Sequence, residues 1–531
     1  MNNDDARLIR SSSVMGLGTI ISRITGLVRN LLLVAVLGTG ILGDAYNVAN
    51  TTPNILYNLL IGGALSAVFV PQIVKSFRDA DGGSAYVSRL VSLLASALLI
   101  ITVLAMVIAP LFISIYAPTF TGRSRDVTIA FALYCLPQIL FYGLFGVLGQ
   151  VANAKERFGP MMWAPIANNL VVIALFTYFL SVTDEISLQT ITDSQIRLLG
   201  IGTTLGIALQ ALILLPTIKS SGLRLRFRVD WRGVGLDKAL KLASWMFVFV
   251  LISQLGFLAT VNIATRAAVA ADTAGVAYGV GYTPYSNAYL ILILPHSIIT
   301  VSVMTALLPK LANLVIDKKL NEVTNELTNA IKVVGVFIVP AAMIFLTFGP
   351  LIARNLYFGI SADDADYVGY TLAGFAIGLI PVSINLILLR GLNAFENLKS
   401  QVFGNLIMNL ISIVLSVLAA IYVEPKWVVV AMAIIFTVHY FIGTGISFYL
   451  ISKHKVNLPI PAIVLHYLRL LAVFAFSIIP LFILRDSIPG NNLVQLIVVL
   501  FVSCFIYLLL GFLFKIKEIK SAIRILVKAI R

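Results

Sequence analysis

Charge and sulfur are what this sequence has least of. Only 11% of its 531 residues are Asp, Glu, Lys or Arg, against about 25% in ordinary soluble domains. Two cysteines, Cys135 and Cys504, and four histidines exclude a disulfide framework and offer no C-x-x-C or clustered metal ligands. Both cysteines sit in apolar runs, where a thiol reads as a small buried hydrophobe. No Gly-rich phosphate loop ending in Lys-Ser/Thr occurs, so the chain has no ATP-hydrolysing motif of its own. No cofactor-binding motif replaces it. The 23 acidic residues avoid the interiors of the long apolar runs, Asp44 and the interface-level Glu156 and Glu396 excepted.

What is present in excess is hydrocarbon. Hydrophobic residues make up 59% of the chain and the mean hydropathy is +0.98. In water that composition would leave large adhesive patches, so lipid is the solvent it fits. A transmembrane helix needs about 20 mostly apolar residues. Fourteen such runs are readable: 14–38, 46–74, 88–116, 127–153, 160–182, 197–219, 238–268, 277–309, 330–357, 366–393, 401–422, 426–452, 464–485 and 493–514. Polar residues interrupt the first, second and eighth. The N-terminus, Asn2-Asn3-Asp4-Asp5 before Arg7 and Arg10, lacks the short apolar run and small-x-small site of a cleavable signal.

The loops orient these spans. With both termini in the cytoplasm, the inner segments hold 29 of the 38 Lys and Arg, seven lie on outer segments, and Arg23 and Arg29 lie inside the first span. That asymmetry is the positive-inside pattern. It also accounts for the net charge of +15, which faces anionic inner-leaflet lipid and implies no nucleic acid. From Lys515 to Arg531, apolar Ile516, Ile519, Ile523, Leu526 and Ile530 alternate at helical spacing with Lys and Arg. This is the pattern of a basic amphipathic tail on the membrane surface.

A repeat is visible at an offset of about 240 positions. Asn153-Ala154-Lys155-Glu156, closing the fourth span, matches Asn393-Ala394-Phe395-Glu396, closing the tenth. Asn169-Leu170 matches Asn409-Leu410, Pro71 matches Pro309, and Ile21-Ser22-Arg23 has a counterpart in Ile252-Ser253-Gln254. Six spans separate each pair, so the two halves run in the same sense. The expected fold is all-α and polytopic, with 14 transmembrane helices. An N-terminal lobe spans 1–219, a basic linker 220–241 and a C-terminal lobe 242–455, the lobes being pseudo-symmetric six-helix bundles. Two further helices lie in 456–514 and the tail in 515–531.

Arg23 and Arg29 are the charges that need explaining. An Arg at mid-helix costs about 2.5–3.5 kcal/mol to insert and usually faces a cavity or a partner. Six positions apart, they lie on neighbouring faces of one helix, with Asp44 near the outer end. One reading is structural: Arg29 makes an ion pair while Arg23 snorkels. The other is a basic wall for an anionic substrate, which suits guanidinium because its forked donors match phosphate oxygens. Asp363-Asp364-Ala365-Asp366 reads as a solvated outer loop, and no histidine is assigned a role.

The segments Ser22-Arg23-Ile24-Thr25-Gly26-Leu27-Val28-Arg29, Leu37-Gly38, Asp44-Ala45-Tyr46, Pro53-Asn54, Gly63-Ala64-Leu65-Ser66 and Phe69-Val70-Pro71 resemble the opening of the MurJ/MviN family. So does Arg390-Gly391-Leu392-Asn393-Ala394-Phe395. The resemblance implies an exporter of the multidrug/oligosaccharidyl-lipid/polysaccharide superfamily in the bacterial cytoplasmic membrane, and not an enzyme. It implies lipid II, the undecaprenyl-pyrophosphate-linked disaccharide peptide of cell-wall synthesis, as substrate, with a groove beside spans 13 and 14 for its tail. Partners would be membrane lipid and the cell-wall synthesis and division proteins. By position, Arg23, Arg29 and Asp44 match charged cavity residues of that family. Asn54, Gln254 and Arg390 complete the candidate substrate-binding set.

The chain also departs from the family pattern. Tyr57 and Asn58 stand where many members are basic, Gly62 where they are acidic, and Asn30 where Asp follows the second Arg. Asn287-Ala288-Tyr289-Leu290 replaces an Asp-Arg pair, losses that resemble actinobacterial members. Asn405 and Asn409 stand where sodium-binding members carry carboxylates, which leaves sodium coupling without its ligands. Two other functions fit the same composition: a different exporter of the superfamily, and a non-transporting scaffold of the cell-wall machinery. Identification of the cargo from a depleted strain separates the first, and complementation of a flippase-depleted bacterium the second. The charge asymmetry makes a direct prediction in a background lacking both native cysteines. A Ser220→Cys protein should label only from the cytoplasmic side and an Asp364→Cys protein only from outside. Labelling of both from one side contradicts the fourteen-span topology.

Overall fold

Immersed in hydrocarbon, a peptide group must find its hydrogen-bond partner within the chain, and the helix does this locally. The computed structural model describes residues 3–60, 70–183, 186–230, 236–395, 397–484, 492–514 and 516–519. Among them there is no strand. The helices in order are α1 (Asn3–Leu37), α2 (Ile41–Leu60), α3 (Val70–Ser76), α4 (Ser84–Val107), α5 (Ala109–Tyr116), α6 (Gly122–Cys135) and α7 (Gln138–Ala154). They continue with α8 (Gly159–Val182), α9 (Asp193–Leu212), α10 (Leu214–Ser220), α11 (Leu236–Thr273), α12 (Tyr282–Pro295), a π-helical turn at His296–Thr300, α13 (Val301–Ile316) and α14 (Leu320–Leu356). The last six are α15 (Ala362–Ala376), α16 (Leu379–Ala394), α17 (Leu398–Tyr422), α18 (Pro425–Ser452), α19 (Ile460–Leu484) and α20 (Asn492–Leu513).

Several expected spans are two helices joined end to end. The third breaks at Ile108, ahead of Pro110. The fourth breaks at Leu136-Pro137, where proline has no N–H to give the preceding turn. Among the described residues, twelve helical runs are long and apolar enough to cross a bilayer, and α15 with α16, bent by 49°, make a thirteenth. The remaining expected span, 46–74, coincides with α2 and α3, and residues 61–69 between them lie outside the described residues. The fold is therefore all-helical and polytopic, with thirteen of the fourteen expected spans met.

Contacts divide the chain into two units, Met1–Ala270 with Gly281–Thr283, and Ala271–Val280 with Pro284–Arg531. Each unit shows the same pairing order. In the first, α8 packs on α9, α7 on α9, α4 on α7, and α2 on α6 and α7. In the second, α17 packs on α18, α16 on α18, α14 on α16, and α13 on α16. The duplicated motif also falls at equivalent places, since α7 ends at Ala154 and α16 at Ala394. The breaks within the paired helices keep nearly the same offset, at Leu136-Pro137 and at Ile377-Gly378. α11 groups with the first unit, where Asn262 Nδ2 donates to the Ile115 carbonyl at 2.9 Å.

Three sequence readings are adjusted. Cys135 is buried, but Cys504 lies exposed on α20, among outward-facing phenylalanines that suit lipid. The acidic segment 363–366 is no free loop: it forms the first turns of α15, which Ser361 caps by accepting the Asp364 N–H. Carboxylates are favoured there by the unpaired N–H groups of the helix start, and Arg354 pairs with Asp366. The basic linker is shorter than expected because α11 already begins at Leu236. Most of the amphipathic tail, 520–531, lies outside the described residues.

The described part of the linker is extended and anchored to α4. Ser84, Ser88 and Ser92, one helical turn apart, accept the N–H groups of Arg224, Arg226 and Arg228 at 3.4, 3.1 and 3.0 Å. Leu223 is buried on the side facing the bundle. Beyond it Asp230 bridges Arg228 and Arg89, and the hydrogen bond from Arg228 holds its carboxyl down at about 2.

Membrane helices gain little from the hydrophobic effect against one another and rely on close backbone approach at small residues. α14 and α15 meet in this way. A Cβ at Gly369 would fall against the backbone of Gly349 and Pro350, whereas one at Gly445 of α18 meets nothing within 4 Å. Alanine is favoured over glycine within a helix by about 0.8–1 kcal/mol, and overpacking costs about 1–3 kcal/mol. Gly369→Ala should therefore lower the melting temperature of the detergent-solubilised protein, while Gly445→Ala leaves it unchanged or raises it. Equal effects in a thermal melt would show that the α14–α15 contact is not close.

Candidate functional site

The first unit holds the two intramembrane arginines, and its packing decides what they can reach. α1 lies along α8. Asn169 of α8 donates from Nδ2 to the Ser22 carbonyl at 3.1 Å and to Thr25 Oγ1 at 2.9 Å. Gly18 sits under Trp163, and Gly26 lies against Asn169. Ser22, Thr25 and Gly26 thus define the face of α1 turned to α8. Arg23, one residue and about 100° further round, is turned off that face and is exposed. Arg29 is half-buried, and its nearest polar contact is a long 3.5 Å approach to Asn30 Oδ1. Neither arginine has an ion-pair partner among the described residues.

Asp44 does not supply one. It is buried in the first turn of α2, and its two oxygens accept the backbone N–H groups of Tyr282 at 2.9 Å and Thr283 at 2.6 Å. Those are the first residues of α12, whose leading N–H groups have no partner within the helix. A carboxylate there satisfies both donors and complements the positive end of the helix. Asn47 adds a bond from Nδ2 to Thr283 Oγ1 at 2.9 Å. The approach is so close that Gly281, at φ +148°, has no room for a Cβ beside the Asp44 carboxylate.

The positions where the sequence lacks the familiar charges are filled by other pairings. Tyr57 stacks on Tyr142 of α7, with ring centroids 6.1 Å apart and planes inclined by 26°. Asn58 donates to Asn54 Oδ1 at 2.8 Å within α2. Asn54 is therefore half-buried and engaged on one side. Gln138 of α7 reaches Asn50 Oδ1 at 3.1 Å and Thr204 Oγ1 at 3.3 Å, while its own Oε1 is buried without a partner among the described residues. Gln254 is half-buried on α11. Arg390 belongs to the second unit, exposed near the end of α16.

Arg23, Arg29, Asp44, Asn54 and Gln254 are thus all in the first unit, with Arg390 in the second. Sequence reading missed Asn169 as the residue that orients α1; its signal was the Asn168-Asn169 pair in an otherwise apolar span. It also missed Gln138 and the π-helical turn of the second unit, where His296 Nδ1 lies 2.9 Å from Ser383 Oγ. Asn405 and Asn409 hydrogen-bond each other at 2.9 Å, as their i, i+4 spacing permits. No group of three or more His, Cys, Asp or Glu able to hold a metal occurs among the described residues.

Comparison with known proteins bears on the family and the fold. A family model described as lipid II flippase MurJ matches residues 33–507. A probable lipid II flippase MurJ from Rhizobium tropici is 26% identical over 435 residues, 80% of this chain and 78% of that protein. A solved lipid II flippase MurJ in an inward closed conformation superposes with a TM-score of 0.76 at 20% identity, covering 95% of this chain and 99% of that one. An inward-facing multidrug resistance MATE family transporter of the MOP superfamily gives 0.65 at 14% identity, covering 83% and 99%. The folds matched are those of transporters and not of enzymes. With most of its length matched by that model, the chain belongs to the lipid II flippase MurJ family.

Proposed function

We propose that the chain carries lipid II from the inner to the outer leaflet of the cytoplasmic membrane by alternating access, for peptidoglycan synthesis. Family membership supports the substrate class, and the 29-to-7 distribution of basic residues supports cytoplasmic termini. The observation that carries the reading is α1 itself, with two arginines kept in an apolar helix and no carboxylate paired to either among the described residues. An uncompensated guanidinium in a membrane helix is costly unless it meets water or an anionic ligand. A pyrophosphate offers oxygens to both in the forked geometry that Arg favours. In this reading Arg23 and Arg29 take the pyrophosphate and Asp44 acts as a positioning residue that fixes the start of α12. Asn54 and Gln254, in the same unit, contact the remaining headgroup. Proteins of cell-wall synthesis and division are the partners it implies.

Two predictions follow from this assignment. A charge-assisted hydrogen bond is worth about 1.5–3 kcal/mol, so Arg23→Ala should slow lipid II flipping about tenfold to a hundredfold per folded molecule. Melting temperature and membrane insertion should be unchanged. Arg23→Lys should rescue in part, because a point ammonium cannot make the forked contact. Normal specific activity in the Arg23→Ala/Arg29→Ala protein would remove the binding role. The near absence of intramembrane carboxylates also predicts that transport follows membrane potential, worth about 2.3 kcal/mol per charge per 100 mV. In proteoliposomes, flipping that survives collapse of the potential and stops on sodium removal would contradict this.

A further inference from the structure

The second unit contains a cavity of about 760 Å³ between α19, α14 at Lys332 and the segment 516–518 after α20. Its mouth is basic. Lys332 of α14, Arg469 of α19 and Lys517 line it, opposed by the single carboxylate of Glu518. Its wall is apolar, with Leu465, Phe476 and Phe514 48%, 74% and 67% exposed. Arg469 and Phe476 are seven residues apart on one helix, so the charged mouth and the apolar wall extend over about 10 Å along its axis.

The present counter-charge is loosely held. Glu518 stands 3.9 Å from Lys332 Nζ and 3.8 Å from His466 Nδ1, both beyond hydrogen-bond length. His466 is committed elsewhere, donating from Nε2 to the Lys332 carbonyl at 3.1 Å, which closes the floor. Arg469 and Lys517 are exposed and have no ion-pair partner among the described residues. Three cations against one displaceable carboxylate, above an apolar wall, fit an amphiphile with an anionic head and a hydrocarbon chain. Basic pockets between membrane helices near one surface take anionic lipid headgroups in this way.

We propose that this cavity is a binding site for an anionic glycerophospholipid of the surrounding leaflet. The phosphate replaces Glu518 between Lys332, Arg469 and Lys517, and the first methylenes of one acyl chain lie along Leu465 and Phe476. The apolar wall argues against free phosphate. The small volume favours a lipid whose head and chain root alone are held over the long polyprenyl carrier, which shares the phosphate chemistry. The site is independent of how Arg23 and Arg29 treat substrate.

Native mass spectrometry of the purified full chain in neutral detergent tests this, titrating dioleoyl phosphatidylglycerol, dioleoyl phosphatidylcholine and undecaprenyl phosphate separately and in competition. Phosphatidylglycerol should bind at least tenfold better than phosphatidylcholine. At about fivefold per basic residue, Lys332→Gln/Arg469→Gln/Lys517→Gln should reduce that binding by tenfold or more. Glu518→Gln should raise it several-fold, because the competing carboxylate is gone. If the triple variant melts early, Arg469→Gln alone, at an exposed and unpaired position, should still lower binding about fivefold. Equal binding of the two phospholipids, or no loss in the variants, overturns the proposal. Displacement of phosphatidylglycerol by an equal or lower concentration of undecaprenyl phosphate also overturns it, and assigns the cavity to the carrier lipid.

Discussion

Hydrocarbon cannot solvate a charge or an unpaired peptide group, and the other features of this protein are arranged around that fact. The backbone answers with helices, broken only where proline or a pair of short helices lets a span bend. The side chains answer by sorting: most cations fall outside the long apolar runs, acids are nearly eliminated from them, and phenylalanine and leucine face outward. What survives inside the bilayer has a partner or stands out. Asp44 survives because two backbone N–H groups need it. Among the described residues Arg23 and Arg29 have no such engagement with a carboxylate, and they stand out for that reason.

The two halves meet this constraint in related ways without sharing side chains. Their helix pairings repeat, and their fourth and tenth spans break and end at corresponding positions. The first unit carries the arginines and the Tyr57–Tyr142 stack. The second carries amides and hydroxyls, such as Asn385 with Ser447 at 2.7 Å, together with the two extra helices α19 and α20. A multi-pass transporter of the inner membrane thus carries different polar side chains in its two units.

Much of the fold was legible because hydropathy and loop charge are local properties that sum over a window. Thirteen spans follow from them directly, while the repeat offset was legible in matched short segments such as Asn153-Ala154 and Asn393-Ala394. The limits of legibility are equally physical. The second span is polar enough, with Asn47, Asn50, Thr51, Thr52, Asn54 and Asn58 in one helix, that composition alone scarcely marks it. The partners of Asp44 lie some 238 positions away, and no periodicity reports a tertiary contact of that range. The acidic run at 363–366 looked like a loop because a helix start and a solvated loop share the same residues; the distinguishing signal was Ser361 in the capping position. Arg23 and Arg29 were visible as anomalies, but which face of α1 they occupy depended on Asn169, a residue whose own sequence context says only that it is polar.

The serine ladder on α4 has a metric consequence. Four helical residues rise about 6.0 Å, and two residues of extended chain advance about 6.6 Å. Ser84, Ser88 and Ser92 can therefore meet the N–H groups of Arg224, Arg226 and Arg228 in step, with a mismatch of about 0.6 Å per rung that a short ladder absorbs. Such a match behaves like a vernier, with a closest rung, looser neighbours and a natural end after a few steps. It also quantises the linker. Moving the chain by two residues recreates the register, whereas moving it by one turns the arginine side toward the bundle and the leucine side toward solvent. The parity of this connection, more than its length or its sequence, is what the ladder constrains.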